Sequence, residues 1–270
     1  MKYILLILAF CSIYQCADPT VEFVMTFFRH GDRTPLHVPS IGYNYIWDIS
    51  PGYLTPKGLD QAYKLGTELG RVYLGENKLL SENFDDAIQQ IYVASSDYER
   101  TLRTTSSVLH GIFQNKIKTS YLPILINSKT LKNDLMLNAI KNCQNVKDYL
   151  RQLSLQSTRF NDLAKNETTI KLSQKISSIF GYSQQAELIN WYDKIYDPLF
   201  CAKQHNYMKI LSGISDSEID QAIEIGNQMR DIIFTENEGK HFLFSHITTK
   251  ITPYKNIQRL SFSNCIDEHL

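Results

Sequence analysis

Cysteine is scarce in this chain, an excess of either charge is absent, and no apolar run is long enough to cross a membrane. The 270 residues hold five cysteines and 28 basic against 28 acidic side chains, with no long run of one sign. That balance argues against nucleic acid or an anionic membrane as the partner, although a small anion needs only a local positive pocket. No stretch approaches the ~18 consecutive apolar residues of a spanning helix. Internal repeats and low-complexity tracts are also missing. With 43% hydrophobic and 21% charged residues, the length suits one large domain or two modest ones around a substantial core.

The first segment reads as a secretory signal over residues 1–17. Lys2 supplies the positive end, residues 3–10 are unbroken apolar, and Cys16 or Ala17 offers a small residue for cleavage. Tyr14 and Gln15 leave the cleavage position open, and a buried N-terminal strand is the alternative. Removal would leave residues 18–270 with Cys143, Cys201 and Cys265, enough in an oxidising compartment for one bridge and one leftover thiol. Asn166-Glu167-Thr168 is a permitted glycosylation acceptor in a polar stretch. The expectation is an exported protein, either secreted or lumenal in a lysosome-like compartment.

Residues 21–28 are β-branched and aromatic without helical spacing and read as a buried strand. That strand ends in polar residues, where open α/β sheets place their ligands. Thr55 and Pro56 are a natural helix start, followed by Leu59, Ala62, Leu65, Leu69 and Val72 at three- and four-residue spacing. Residues 91–94 and 121–126 read as further strands, with a helix through Arg100, Leu102 and Val108 between them. From about 140 to 235 the pattern is mostly helical, a plausible cap, and residues 215–234 form an amphipathic helix within it. Residues 241–246 read as a last strand ending in His246. Alternating strands and helices predict an α/β fold with a mainly parallel central sheet flanked by helices.

Arg29-His30-Gly31-Asp32-Arg33-Thr34-Pro35 places two guanidinium groups beside an imidazole on a tight loop. Guanidinium forks match tetrahedral oxyanions in charge and geometry, and a neutral imidazole among them is a nucleophile. The alternative is an Arg/His-rich turn held by salt bridges to Asp32. Arg100 follows its own strand through Ser95-Ser96-Asp97-Tyr98-Glu99 and would lie at the same sheet edge, near a helix N-terminus. Its alternative is an exposed side chain paired with Asp97 or Glu99. A lone His246 is more often a structural residue than a catalyst.

Together these segments resemble the histidine acid phosphatases, most closely those of the animal prostatic and lysosomal kinds, over residues 20 to about 265. Leu54-Thr55-Pro56-Lys57-Gly58 and Tyr196-Asp197-Pro198-Leu199-Phe200-Cys201 are similar to further family segments. The resemblance implies the phosphoglycerate mutase-like fold with a helical cap, His30 as the nucleophile that accepts the phosphoryl group, and Arg29, Arg33, Arg100 and His246 as its binders. It implies no metal and no cofactor, a small phosphomonoester as substrate, a Cys201–Cys265 disulfide, and homodimerisation as an open option.

The chain departs from that family in two places. Ser245-His246-Ile247-Thr248-Thr249 puts isoleucine where the family has the aspartate that protonates the leaving alcohol, a role worth about 10²–10⁴ in rate. Glu99 or a bound water are the substitutes at hand. The chain also stops at Leu270, before such proteins usually end. The expected function is a secreted acid phosphatase working through phosphohistidine. The alternative is a secreted relative that binds anionic or phosphorylated ligands without turnover, with a mutase-like transferase third.

Overall fold

The computed structural model describes residues 21–39, 42–43, 46–117, 123–206 and 211–235. The expected signal segment, the strand at 241–246, His246, Ile247 and Cys265 lie outside them.

Helix α1 spans Pro56–Gly70 and begins as its sequence dictates. Thr55 is the N-cap, with extended backbone, and its hydroxyl accepts from the Gly58 amide at 3.1 Å. A π-type turn, Arg71–Glu76, continues it, and the short α2, Phe84–Gln89, follows. Strand β1, Ala94–Ser96, leads into α3, Glu99–Phe113, and the chain returns as β2, Asn127–Lys129. The two strands pair in parallel, Ala94 opposite Asn127, which makes a β-α-β crossover. Helices α4 (Ala139–Asn142), α5 (Gln144–Gln156), α6 (Thr158–Lys165) and α7 (Glu167–Ile179) come next. After a π-type turn at Tyr192–Tyr196, α8 (Asp197–Gln204) and α9 (Asp216–Thr235) complete the described elements. From Ala139 onward every described regular element is helical.

Two apolar clusters support these layers. One, under the helices, gathers Phe160, Ile176, Trp191, Leu199 and Ile219, and the Trp191 ring nitrogen donates to the Ala222 carbonyl at 3.0 Å. The other packs Ala87, Leu109 and Phe113 against Ile91, Val93, Ile124 and Ile126 beside the strands. The α/β class, the parallel pairing and the helical portion agree with the sequence pattern.

Strand positions differ from it. Residues 21–28 carry no regular structure among the described residues, because a strand exists only through a ladder partner, and none of the described segments supplies one. The other two strands pair a few residues beyond the apolar runs at 91–94 and 121–126. Apolar alternation marks what is buried, while pairing starts where Asn127 meets the Val93 carbonyl through both its backbone and side-chain nitrogens, each at 2.9 Å.

Helices α1 and α3 approach closely enough to exclude a β-carbon. The buried face of α1 is a stripe of small residues, Gly58, Ala62, Gly66 and Gly70, and a methyl on Gly111 of α3 would overlap the Tyr63 carbonyl oxygen. Gly111→Ala regains about 1 kcal/mol of helix propensity and loses about 1–3 kcal/mol to overpacking. Because the obstructing atom is rigid backbone, the expected net loss is about 2 kcal/mol in a urea melt; an unchanged midpoint would contradict the close approach. No helix among the described residues is long and apolar enough to cross a membrane.

Candidate active site

The loop at 29–35 is held from three sides, by the start of α1, the first turns of α3, and α8. Gly31 lies directly on Gly58: a β-carbon on Gly31 would strike the Gly58 carbonyl, and one on Gly58 would strike that of Asp32. The Gly31 amide donates to the Thr104 hydroxyl at 3.3 Å, and Thr104 in turn donates to the Arg100 carbonyl at 2.7 Å. Asp32 is tied through its amide to Gln61 at 2.8 Å, and its carbonyl accepts the Thr55 amide at 3.0 Å. These contacts bring His30 and Arg100 together across 70 residues of chain.

His30 Nδ1 lies 2.8 Å from the Gly31 carbonyl oxygen. A carbonyl only accepts, so Nδ1 carries the proton and the free lone pair is on Nε2. Burial is the largest influence on the ring and pushes its pKa down to about 3. The Arg29 guanidinium acts in the same direction, as do Arg33 and Arg100, against the Gly31 hydrogen bond. The imidazole is therefore neutral across mildly acidic pH, with burial the largest single cause.

Arg33 is 5% exposed and grips Asp197 with both fork nitrogens, Nη1 to Oδ2 at 3.1 Å and Nη2 to Oδ1 at 2.8 Å. Its Nη1 also donates to the Thr34 carbonyl at 2.9 Å. Salt bridges from the loop arginines to Asp32 do not form. Arg33 instead finds a carboxylate that begins α8, 164 residues away.

Arg100 is not paired with Asp97 or Glu99 either. Glu99 takes Arg103 at 2.9 Å, Asp97 accepts from Ser128 at 3.2 Å, and the Arg100 guanidinium stands 4.2 Å from the centre of the Tyr98 ring. Burial first, then the nearby Arg33 charge, lowers its pKa. The Nε atoms of Arg33 and Arg100 are buried without a hydrogen-bond partner among the described residues. Arg29, exposed, reaches the Tyr192 hydroxyl at 3.5 Å. Of the three guanidinium groups acting on His30, only Arg33 is in an ion pair among the described residues. Excess positive charge, two unpartnered donors and a neutral imidazole are the features that binding an oxyanion beside a nucleophile would call for.

Tyr98, Tyr192, Thr104 and Asp197 were not legible as site residues. No local pattern marks the first three, and Asp197 sits in a segment the family resemblance does flag. A surface cleft between α6 and α9, lined by Arg159, Asp162, Glu224 and Asp231, contains none of the groups around His30. Among the described residues no cluster of histidine, cysteine and carboxylates is arranged to hold a metal. Cys201 is buried and Cys143 half-buried, both as thiols among the described residues, and burial first, with the Asp197 charge, raises the Cys201 pKa. Asn166 is exposed and caps α7, its Oδ1 accepting from the Thr168 amide at 2.9 Å.

The model of the histidine phosphatase superfamily, branch 2, matches residues 37–225, a span that begins beyond the 29–35 loop. Prostatic acid phosphatase of Mus musculus is 29% identical over 205 residues, covering 71% of this chain and 51% of the relative. Lysosomal acid phosphatase of Xenopus laevis is 28% identical over 214 residues, covering 76% and 47%. The chain thus spans about half the length of these curated relatives. Two solved phytases share the fold. That of Hafnia alvei with tartrate has a TM-score of 0.57 at 12% identity, covering 87% of this chain and 67% of its own. That of Citrobacter braakii has 0.53 at 17%, covering 82% and 63%. The family match takes in most of the chain and does not depend on the 29–35 loop: the chain belongs to branch 2 of the histidine phosphatase superfamily.

Proposed function

We propose that this protein is an acid phosphatase that hydrolyses small phosphate monoesters through a phosphohistidine on His30. The supporting observation is the neutral His30 imidazole, with Nε2 unprotonated, among the Arg29, Arg33 and Arg100 guanidinium groups. Nε2 forms a bond to phosphorus while the ester P–O bond breaks, and the departing oxygen takes a proton from water. Water then attacks the phosphohistidine, releasing phosphate and regenerating the imidazole. The guanidinium groups stabilise charge on the equatorial oxygens, as phosphoryl transfer requires. By family resemblance His246 joins the phosphate binders and Cys201 pairs with Cys265; export rests on the signal-like segment 1–17, and a glycan on Asn166 rests on the Asn166-Glu167-Thr168 acceptor.

Ile247 favours a second reading, an anion-binding relative without turnover, because isoleucine cannot protonate a leaving group. One experiment separates the two. Labelled aryl phosphate, whose leaving group departs without a proton donor, is mixed with the protein and quenched without acid. The phosphatase reading expects an acid-labile, base-stable adduct that His30→Ala abolishes, together with vanadate binding that Arg100→Ala weakens about tenfold or more, as for a charge-assisted hydrogen bond. Vanadate binding with no adduct supports the binding-only reading. Absence of both refutes the site.

A further inference from the structure

Asp32 is the only carboxylate in the loop at 29–35 and the chain neighbour of Arg33. A carboxylate tethered beside guanidinium groups is at high local concentration and competes with any incoming phosphate for the same donors. In this fold it is turned elsewhere. Asp32 Oδ2 accepts from the Thr55 hydroxyl at 2.5 Å and from His205 Nε2 at 2.6 Å, and its side chain is 7% exposed. An ionised carboxylate only accepts, so His205 Nε2 is the donor.

His205 is the C-cap of α8, the helix whose first residue, Asp197, holds Arg33. Eight residues at helical rise separate those anchors by roughly 12 Å. One short helix therefore draws the side chains of two consecutive loop residues to its opposite ends. The Trp47 ring stands edge-on to His205, with centroids 5.0 Å apart, and Lys57 Nζ donates to the Gln204 carbonyl at 3.2 Å, securing that end of α8 against the start of α1.

We propose that His205 is a positioning residue that holds the Asp32 carboxylate away from the Arg29, Arg33 and Arg100 cluster, leaving those guanidinium groups to the substrate oxyanion. The role rests on the phosphate-site reading above. It differs from ordinary support of the loop, because it assigns the harm of losing His205 to Asp32 itself.

The test is vanadate titration of the full chain at one pH, with thermal melts alongside. His205→Ala is expected to weaken vanadate binding about tenfold or more, as loss of a hydrogen bond to a charged group does. His205→Gln, whose amide still donates, is expected to stay within about threefold of the parent. Adding Asp32→Asn to His205→Ala removes the competing charge and is expected to restore affinity to within about threefold of the parent. If His205→Ala fails to fold, His205→Asn, too short to reach Asp32, takes its place in both comparisons. Parental affinity in His205→Ala overturns the proposal, and so does a double variant no better than the single one. A parent chain that does not bind vanadate overturns the phosphate site itself, an outcome distinguishable from either.

Discussion

Replacing Asp197 with alanine is expected to lower folding stability by about 3–5 kcal/mol, the cost of leaving a buried charge without its partner. Arg33 and Asp197 are 6% and 3% exposed at their side chains, so water does not screen the loss. Three interactions go at once: both arms of the guanidinium fork and the Leu36 amide, which donates to Oδ2 at 2.7 Å. Asp197→Asn keeps one acceptor and loses the charge, and should fall between the parent and alanine. The alanine variant carries a second signature. With Arg33 unpaired, a bound phosphate supplies the missing negative charge, so phosphate should raise its melting temperature more than the parent's. Urea melts with and without phosphate check both points. A loss below about 1 kcal/mol would place the pair in the range of exposed salt bridges and contradict its burial.

The second large effect is acid destabilisation through His30. Its pKa is about 3 in the folded chain and about 6.5 when unfolded, so the unfolded state binds more protons between those values. Stability from a neutral His30 is thus fully present above about pH 6.5 and falls as pH drops toward 3, by on the order of 3–5 kcal/mol. Measuring stability against pH for the parent and for His30→Gln isolates this contribution. The difference should change by up to about 1.4 kcal/mol per pH unit within that window and level off outside it. A flat difference would mean that His30 titrates normally and is not buried among positive charges. Salt should recover only the part of the loss due to the arginine charges, because burial, the largest single cause, is not screened by ions.

Much of the local structure was legible in the sequence. Thr55 and Pro56 start α1 where capping chemistry requires, and the buried residues Ile219, Ala222, Ile223, Ile225 and Met229 of α9 are those its periodicity selects. Arg29, His30, Arg33 and Arg100 do converge electrostatically. The residues that share that space with them were far less visible. Asp197 and His205 reach the loop only through α8, and Thr104 only through the glycine-lined contact of α1 with α3. The expected strand at 21–28 failed for a related reason, since composition specifies burial but a ladder needs a partner.

By itself, the sequence determined which groups the proposed chemistry would use, because guanidinium and imidazole types at close spacing are a local property of the chain. It also determined where α1 begins and which face of α9 is buried, since caps and periodicity act over a few residues. Tertiary structure alone decided which charges are neutralised and which are left for a ligand. Arg33 is ion-paired with Asp197, and Asp32 is held by Thr55 and His205, while Arg100 has no ion pair among the described residues; both arginines keep a buried Nε without a hydrogen-bond partner among those residues. The physical reason is that pairing and desolvation depend on distances across the fold, and residues 164 positions apart in sequence become neighbours only when α8 packs against the loop.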